Sequence, residues 1–288
     1  MNIVNRTPFV VFPLPGYDEN GKETISGIVK GTFRFQKGEE LAVADEPEPI
    51  HLADEYWGEP GKSPLKWESD LVPFKPGTDL LLTGNAYASK GSPSKLFKVS
   101  FEVGTIRKKA EFRIPEKKTK ASLRALERFE IKRDLLGRRK TFRGLGFGFY
   151  PRAWKPRLRY AGTYDEKWQK SRAPFLPEDF DPRFFQCAYP DLIATPHLKG
   201  GEKLRAENVS KHGLLRARLP NLRVSIALHV GKEIETQRAK LDTVHVEADQ
   251  HRVVVIWRAR FLCGAKLPEI RALEVQAQPR ERTGEQAS

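Results

Sequence analysis

The chain has 288 residues, with 22 glycines, 21 prolines and one methionine, and 39% of its residues are hydrophobic. This length suffices for one large domain or two medium ones. No apolar stretch approaches the roughly 20 residues of a membrane-spanning helix, and the start of the sequence lacks the pattern of a signal peptide. The many turn-forming residues favour a mainly β protein with little helix.

The net charge of +14 is unevenly distributed. Residues 105–172 carry 22 basic and 7 acidic side chains, whereas residues 1–104 carry 11 basic and 15 acidic ones. A basic block of this kind is usually a solvated face, and its functional alternatives are an acidic partner or nucleic acid. No zinc-finger, RNP or recognition-helix pattern accompanies it, so sequence-specific nucleic-acid binding is not indicated.

The first third of the sequence predicts strands and turns. Residues 27–35 alternate as a half-buried strand does. Residues 80–87 and 95–103 flank a Gly/Ser/Pro turn and predict a hairpin, and residues 110–114 predict a short further strand. The charged stretch that follows has loosely spaced apolar residues, which leaves a short helix and an extended basic ribbon both open.

The stretch from Phe149 to Phe185 is the least regular part of the sequence. It contains ten aromatic residues and five prolines but no apolar run long enough for a core element. Prolines force repeated turns, and a long irregular segment is usually functional or disordered. The aromatic content argues against disorder.

The β pattern returns in the last third. Residues 203–209 and 220–229 predict strands, and residues 242–247 and 252–261 predict a hairpin. Residues 268–276 predict a final short strand.

We therefore expect antiparallel sheets packed in a sandwich-like way, with the irregular segment wrapped over them. A single β-rich domain would span residues 1–277, followed by a polar tail, 278–288. Its expected parts are the N-terminal β segment 1–115, the basic insert 116–143, the irregular motif segment 144–200 and the C-terminal β segment 201–277.

The sequence offers few candidates for catalysis. Asp179 and Asp181 are two residues apart, as in a metal or general-acid pair, but no histidines stand at coordinating spacing. We favour hydrogen-bonded carboxylates in a tight turn. Cys187 and Cys263 lie far apart and favour two buried thiols in a reduced cytosolic protein over one disulfide. No enzyme, metal site or cofactor is predicted.

Arginines and aromatics are interleaved in the central region. They suggest nucleic-acid binding, a peptide groove, or internal packing in which aromatics pin the segment onto the sheets. Internal packing is favoured for any single aromatic, whereas the arginines are as well explained by a partner. The candidate partner-binding residues are Arg138, Arg139, Arg152, Trp154, Arg157, Arg159, Tyr164 and Trp168.

Five stretches in order resemble one family. Residues 148–168 read GFYPRAWKPRLRYAGTYDEKW, which is similar to W-x-P-R followed by G-T-Y-D-x-x-W. RAPFLPEDFDPRFFQCAYPDL is similar to R-x-P-x-x-P-x-D-F-D-x-R-F-F with a small apolar turn and Asp. The family's G-G-E motif is similar to LKGGEKLRAENV, which is followed here by LLRARLPNL. Its K-P-x-T-D motif is similar to KPGTDLLLTGNAY in the first third of the chain. Its closing-hairpin motif is similar to DTVHVEADQHRVVVIWRARF. These stretches cover most of residues 70–262.

The family that these stretches resemble consists of bacterial accessory proteins of type VI secretion, encoded beside spike, spike-tip and toxic effector genes. The resemblance implies a cytoplasmic adaptor or chaperone, not an enzyme, that binds an effector's N-terminal region and helps load it onto the spike complex. A membrane is not expected among its partners, and nucleic acid is the alternative partner, bound without sequence specificity through residues 107–172. The sequence lacks the family's G-D-R-x-W block between Arg107 and Phe149, which indicates a compact or divergent member.

The motif positions are expected to have structural roles. Gly200 and Gly201 predict a turn before a strand, with Glu202 available to pair with an arginine. The full set of expected structural positions is Gly162, Thr163, Asp165, Pro177, Asp179, Phe180, Asp181, Arg183, Gly200, Gly201 and Glu202.

Overall fold

The computed structural model describes residues 1–60, 63–87, 96–113, 120–126, 129–133, 139–211 and 213–280. Strands make up 49% and helices 11% of the protein, which confirms the mainly β prediction. Of the predicted polar tail 278–288, residues 278 and 279 belong to the last strand, and residues 281–288 lie outside the described residues. The division into segments within residues 1–277 stays a prediction.

The described residues form 21 strands and two short α-helices. The strands are β1 (Asn2–Asn5), β2 (Val10–Tyr17), β3 (Glu23–Phe35), β4 (Leu41–Val43), β5 (Glu55–Tyr56), β6 (Leu65–Trp67), β7 (Thr78–Thr83), β8 (Asn85–Tyr87), β9 (Leu96–Val103), β10 (Ile106–Arg113), β11 (Lys120–Ser122), β12 (Phe129–Arg133), β13 (Arg139–Gly144), β14 (Ile193–Ala194), β15 (Lys203–Ser210), β16 (Gly213–Arg218), β17 (Leu222–Val230), β18 (Glu233–Arg238), β19 (Lys240–Glu247), β20 (Arg252–Leu262) and β21 (Ile270–Pro279). The helices are α1 (Lys155–Leu158) and α2 (Glu166–Ser171).

A seven-stranded sheet forms the centre of the fold. Its strands run in the order β14-β7-β19-β20-β3-β2, and β4 pairs with β3. Strand β3 is buried on both faces rather than one, so the half-buried prediction for residues 27–35 is wrong. On one face, a Cβ at Gly27 would lie 2.7 Å from a methyl carbon of Ile226, because the second sheet packs there. On the other face, the Lys30 ammonium donates to the Pro49 carbonyl 2.7 Å away.

Two four-stranded sheets flank this centre. One has the order β1-β21-β17-β18, and the other has the order β10-β9-β15-β16. The pairs β1–β21 and β7–β19 are parallel, so the sheets that contain them are mixed, whereas the sheet β10-β9-β15-β16 is antiparallel throughout. A single buried apolar cluster contains residues from all three sheets, among them Val29, Phe101 and Leu273.

The first predicted hairpin is replaced by another pairing. Strand β8 pairs with β11, and β9 pairs with β10 around Gly104 and Thr105. Gly104 has a φ of +58°, which glycine adopts at little cost in a two-residue turn. The expected Gly/Ser/Pro turn lies outside the described residues. In the described part of the basic insert, β11, β12 and β13 are extended and one 3₁₀ turn spans Leu123–Leu126, so most of these described residues follow the extended-ribbon prediction.

The later predictions are confirmed. Strands β15, β17 and β21 lie where the sequence places them. Strands β19 and β20 form the predicted hairpin, and His251 closes its turn in the left-handed region at a φ of +52°.

The irregular segment lies on the β7 end of the central sheet. It contains α1, α2, the 3₁₀ turns Pro182–Phe185 and Pro190–Leu192, and β14. Strand β14 pairs with β7, and the Leu82 amide donates to the Phe147 carbonyl at 2.8 Å. The expected wrapping of this segment over the sheets is therefore confirmed.

Candidate functional site

Asp79 on β7 fixes the far end of the irregular segment. Its carboxylate accepts hydrogen bonds from the Gln186 amide nitrogen at 2.6 Å and from the backbone N–H groups of Cys187 and Ala188 at 2.9 and 3.1 Å. The Lys75 ammonium donates to the same carboxylate at 2.7 Å. Lys75 and Asp79 belong to the K-P-x-T-D motif, and Cys187 follows the D-F-D-x-R-F-F motif. Two sequence signatures 108 residues apart therefore meet at one buried carboxylate.

The electrostatics of this site favour the charged pair. Burial alone would lower the pKa of Lys75, but the adjacent Asp79 carboxylate holds that pKa above its ordinary value. Burial alone would raise the pKa of Asp79, yet Lys75 and the surrounding donors hold it below the ordinary value. Burial raises the pKa of the Cys187 thiol, which therefore stays protonated and is a poor nucleophile.

Arg157 fixes the near end of the segment. Its guanidinium donates to both carboxylate oxygens of Glu68 at 2.6 Å, and to the carbonyls of Tyr150 at 2.5 Å and Phe184 at 2.8 Å. Arg157 is 1% exposed and is the arginine of the W-x-P-R motif. Arg152 reaches the same Glu68 carboxylate at 2.9 Å, but 36% of its side chain is exposed.

The closing-hairpin motif supplies a third buried pair. The Arg258 guanidinium donates to Asp242 at 2.5 Å, and the Thr243 hydroxyl bonds to both Asp242 and the Lys75 ammonium at 2.9 Å. We call the set Glu68, Lys75, Asp79, Arg157, Asp242 and Arg258 the buried clasp.

A small cavity lies among the members of the buried clasp. Its volume is about 20 Å³, and Glu68, Lys75, Cys187, His245 and Arg258 are among the residues that line it. This volume is sufficient for about one water molecule and too small for a substrate.

The remaining motif residues close local turns. Asp179 accepts from the Thr163 amide at 2.9 Å and from the Thr163 hydroxyl at 2.7 Å. Asp165 caps α2 by accepting from the Trp168 amide at 2.8 Å. Asp181 accepts from the amide and the guanidinium of Arg183. The preference for hydrogen-bonded carboxylates at Asp179 and Asp181 is thus confirmed.

The positions around these turns have similar roles. A Cβ at Gly162 would lie 2.9 Å from the Cβ of Pro177, so glycine is needed there. The Phe180 ring packs on Phe184 and Phe185.

The turn at Gly200 and Gly201 also has the expected form, with φ values of +95° and +86°. Glu202, however, accepts from the backbone N–H groups of Lys199 at 2.7 Å and Gly200 at 2.9 Å. Its carboxylate therefore closes its own loop, and the expected arginine pairing is not among its described contacts.

Four aromatic residues are linked by contacts between the irregular segment and strand β2, and two of them are exposed. Tyr164 is 54% exposed and packs edge-on against Trp168, with ring centroids 4.7 Å apart. The Trp168 indole donates to the Phe175 carbonyl at 2.8 Å, and the Phe175 ring packs against Tyr17 at 5.2 Å. Tyr17, at the end of edge strand β2, is 51% exposed. We call Tyr17, Tyr164, Trp168 and Phe175 the aromatic face.

The structure places some of the predicted partner-binding residues on the surface and others in the interior. Tyr164 and Trp168 lie on the aromatic face, and Arg159 is exposed beside Tyr160 with its guanidinium carbon 4.6 Å from the ring centroid. Arg157 faces the interior instead, because Glu68 and two carbonyls bind it there. Trp154 packs on Tyr150 and Tyr189, in agreement with internal packing.

The remaining two predicted partner-binding residues, Arg138 and Arg139, belong to the basic insert. Arg138 lies outside the described residues, and Arg139 begins strand β13.

Sequence reasoning missed most of the buried clasp. Glu68, Lys75, Asp79, Asp242 and Arg258 were not selected as site residues. Lys75 and Asp79 nevertheless stand in the K-P-x-T-D motif, and Asp242 and Arg258 stand in the closing-hairpin motif. The available signal was the presence of charged residues within apolar strands, such as Asp79 before Leu80-Leu81-Leu82.

Within the described residues, no group of three or more His, Cys, Asp and Glu side chains is arranged to hold a metal ion. Both cysteines are buried and free, as expected. No described helix is long and apolar enough to cross a membrane.

The fold and the clasp define a mainly β protein in which several motif residues meet in the buried core. The sequence model of DUF2169, an uncharacterized protein conserved in bacteria, matches residues 20–114 and 112–258. Because these matches span well over half of the chain, the protein belongs to this bacterial family. The two matches meet inside the region where the expected G-D-R-x-W block is missing. No curated protein and no solved structure matches the chain.

Proposed function

We propose that this protein is a cytoplasmic adaptor that binds a type VI secretion effector and helps load it onto the spike complex. The observation that carries the proposal is the aromatic face, which presents Tyr17 and Tyr164 at 51% and 54% exposure. Aromatic side chains are enriched at protein-binding surfaces because they contribute large contact area with few rotatable bonds. The motif resemblance supplies the biological setting.

The buried clasp supports a binding role in a second way. It holds both ends of the segment that carries α2 against the sheet, and we expect this attachment to restrict the conformations of the aromatic face. A preorganised surface loses less conformational entropy on binding than a flexible one. The N-terminal region of an effector is the proposed client, and the spike and spike-tip proteins are the proposed second partners.

The test is genetic, in the native bacterium. Deleting the gene should abolish export of one effector while the secretion machine continues to fire. Reintroducing the protein with Tyr17→Ala and Tyr164→Ala should leave export defective. A matched variant, Leu52→Ala with Leu262→Ala, removes two apolar side chains elsewhere that are at least as exposed, and it should restore export. Continued export of every effector after deletion would refute the proposal.

The second candidate function is non-specific nucleic-acid binding through residues 107–172. It is favoured by the excess of 22 basic over 7 acidic side chains in residues 105–172. A salt titration with duplex DNA distinguishes the two functions. The adaptor proposal expects weak DNA binding that falls steeply with salt, whereas a nucleic-acid protein retains useful affinity at physiological salt.

A further inference from the structure

The outer face of the sheet β10-β9-β15-β16 gathers charged residues from two distant stretches of the chain. Its register aligns Arg107 with Glu102, Glu102 with Arg205, and Arg205 with Arg216. The alternate positions on these strands point inward, because Phe101, Val103, Leu204, Ala206 and Leu215 are buried. One surface thus combines residues 98–111 with residues 203–218. The surface could not be recognised from either stretch of sequence alone.

The charge of this face is strongly unbalanced. Its outward side chains include seven basic and three acidic residues. The basic ones are Lys98, Arg107, Lys109, Lys203, Arg205, Arg216 and Arg218, and the acidic ones are Glu102, Glu111 and Glu207. We call these ten residues the basic sheet face.

Each acidic residue on the basic sheet face is already paired. Glu102 bonds Arg107 at 2.9 Å, Glu207 bonds Arg205 at 2.6 Å, and Glu111 lies 3.2 Å from Lys98. Among the described residues, Lys109, Lys203 and Arg216 form no ion pair. The excess positive charge therefore lies mainly on these three side chains, which belong to three different strands.

We propose that the basic sheet face docks an acidic segment of a partner protein. Carboxylates on such a segment match Lys109, Lys203 and Arg216, and arginine binds carboxylates in a bidentate geometry. A nucleic acid fits less well, because its phosphates form a continuous line of charge that must pass over three carboxylates. The outward positions of the face also carry no aromatic side chain on which bases would stack.

This surface is separate from the aromatic face and shares no residue with it. The proposal goes beyond the adaptor function, since it holds whether or not the acidic partner is a secreted protein. For an adaptor, a second surface is the means by which two partners bind at once.

The experiment measures fluorescence anisotropy of the full chain with three labelled probes: a polyglutamate peptide, a polyglutamine peptide and duplex DNA. Titrations at about 50 mM and about 300 mM salt separate charge-driven binding from other binding. The variant K109E/K203E/R216E reverses the three side chains that form no ion pair. The matched variant K37E/K232E/K240E makes the same change in net charge at exposed lysines elsewhere.

The wild-type protein should bind polyglutamate in preference to polyglutamine. The sheet-face variant should lose about tenfold or more in affinity, and the matched variant less than about threefold. The neutral variant K109Q/K203Q/R216Q should show an intermediate loss of affinity. All three variants should unfold at the same urea concentration as the wild-type protein. An equal loss of affinity in the matched variant would show that binding depends on the net charge of the protein and not on the basic sheet face, and would contradict the proposal. Tighter binding of DNA, lost in the sheet-face variant, would assign the face to nucleic acid, and absence of polyglutamate binding would overturn the proposal directly.

Discussion

Arg157 and Tyr164 are seven residues apart in one aromatic, arginine-rich stretch, yet the first is 1% exposed and the second 54% exposed. Arg157 is buried because Glu68 and two carbonyl groups satisfy its guanidinium. Tyr164 lies beside α2, in which no residue is buried. The comparison teaches that similar sequence composition supports two roles: attachment to the sheet at Arg157 and presentation of a surface at Tyr164.

The largest effect is expected at Asp79. Asp79→Ala leaves the Lys75 ammonium buried without its carboxylate and the N–H groups of Cys187 and Ala188 without an acceptor. We expect a loss of about 3–5 kcal/mol in the free energy of unfolding, measured by urea denaturation. Lys75→Met should cost less, because the other donors to Asp79 remain. An equal or larger cost for Lys75→Met would show that Asp79 is not the centre of the clasp.

The next effect separates the two arginines that share Glu68. Arg157→Met leaves a buried carboxylate with only Arg152 as a cation and should cost about 3 kcal/mol. Arg152→Met removes a partner of the same carboxylate at a half-exposed position and should cost less than about 1 kcal/mol. Urea denaturation of both variants measures the difference, and similar costs would contradict the contrast between buried and exposed positions.

An acid sensitivity is expected from His245, which lies beside the clasp. Burial, with help from Lys30, lowers the pKa of His245 to about 3. The unfolded chain takes up a proton below the ordinary value of 6.5, so stability is lost as the pH falls from 6.5 towards 3. One such group lowers the free energy of unfolding by about 2 kcal/mol between pH 7 and pH 5.

His245→Gln is the control for this pH dependence. Its free energy of unfolding should change by about 2 kcal/mol less than that of the wild type between the two pH values. The pKa of Glu48 is lowered from its ordinary value of 4.5 to about 2. Its contribution to the free energy of unfolding is therefore lost only at lower pH, as the pH falls from 4.5 towards 2. Parallel pH profiles for the wild type and His245→Gln would show that His245 is not the responsible group.

A smaller effect on stability is expected at α2, which lies in the exposed part of the irregular segment. Asp165→Ala removes the N-cap of α2 and should cost about 1 kcal/mol. Asp165→Asn keeps a capping side chain and should cost less. A greater loss in the alanine variant than at Arg157 would mean that α2 is part of the core.

The smallest effect on stability is expected at Tyr164. Tyr164→Ala should change the free energy of unfolding by less than about 0.5 kcal/mol, because the side chain is mostly exposed. The same variant should reduce capture of the effector from the native host in a pull-down. Unchanged capture by Tyr164→Ala together with Tyr17→Ala would leave the aromatic face without its proposed role.

Several features of this protein follow from the sequence alone. Alternating and apolar runs with turn residues predict β3, β15, β17 and the β19–β20 hairpin, since these signals are local. Prolines and aromatics predict the irregular segment, and Asp179 and Asp181 in this proline-rich stretch predict hydrogen-bonded carboxylates in a tight turn. These features depend on contacts between residues near in sequence.

Other features were decided by the tertiary structure. The 95–103 strand pairs with the following strand instead of the preceding one, and the 27–35 strand is buried on both faces because a second sheet covers it. The burial of Arg157 depends on Glu68, 89 residues away, and the basic sheet face depends on the register of β9 with β15. The physical reason is that the free energy of a buried charge or an aligned strand pair comes from its partner, and the partner's position is set only when the chain folds.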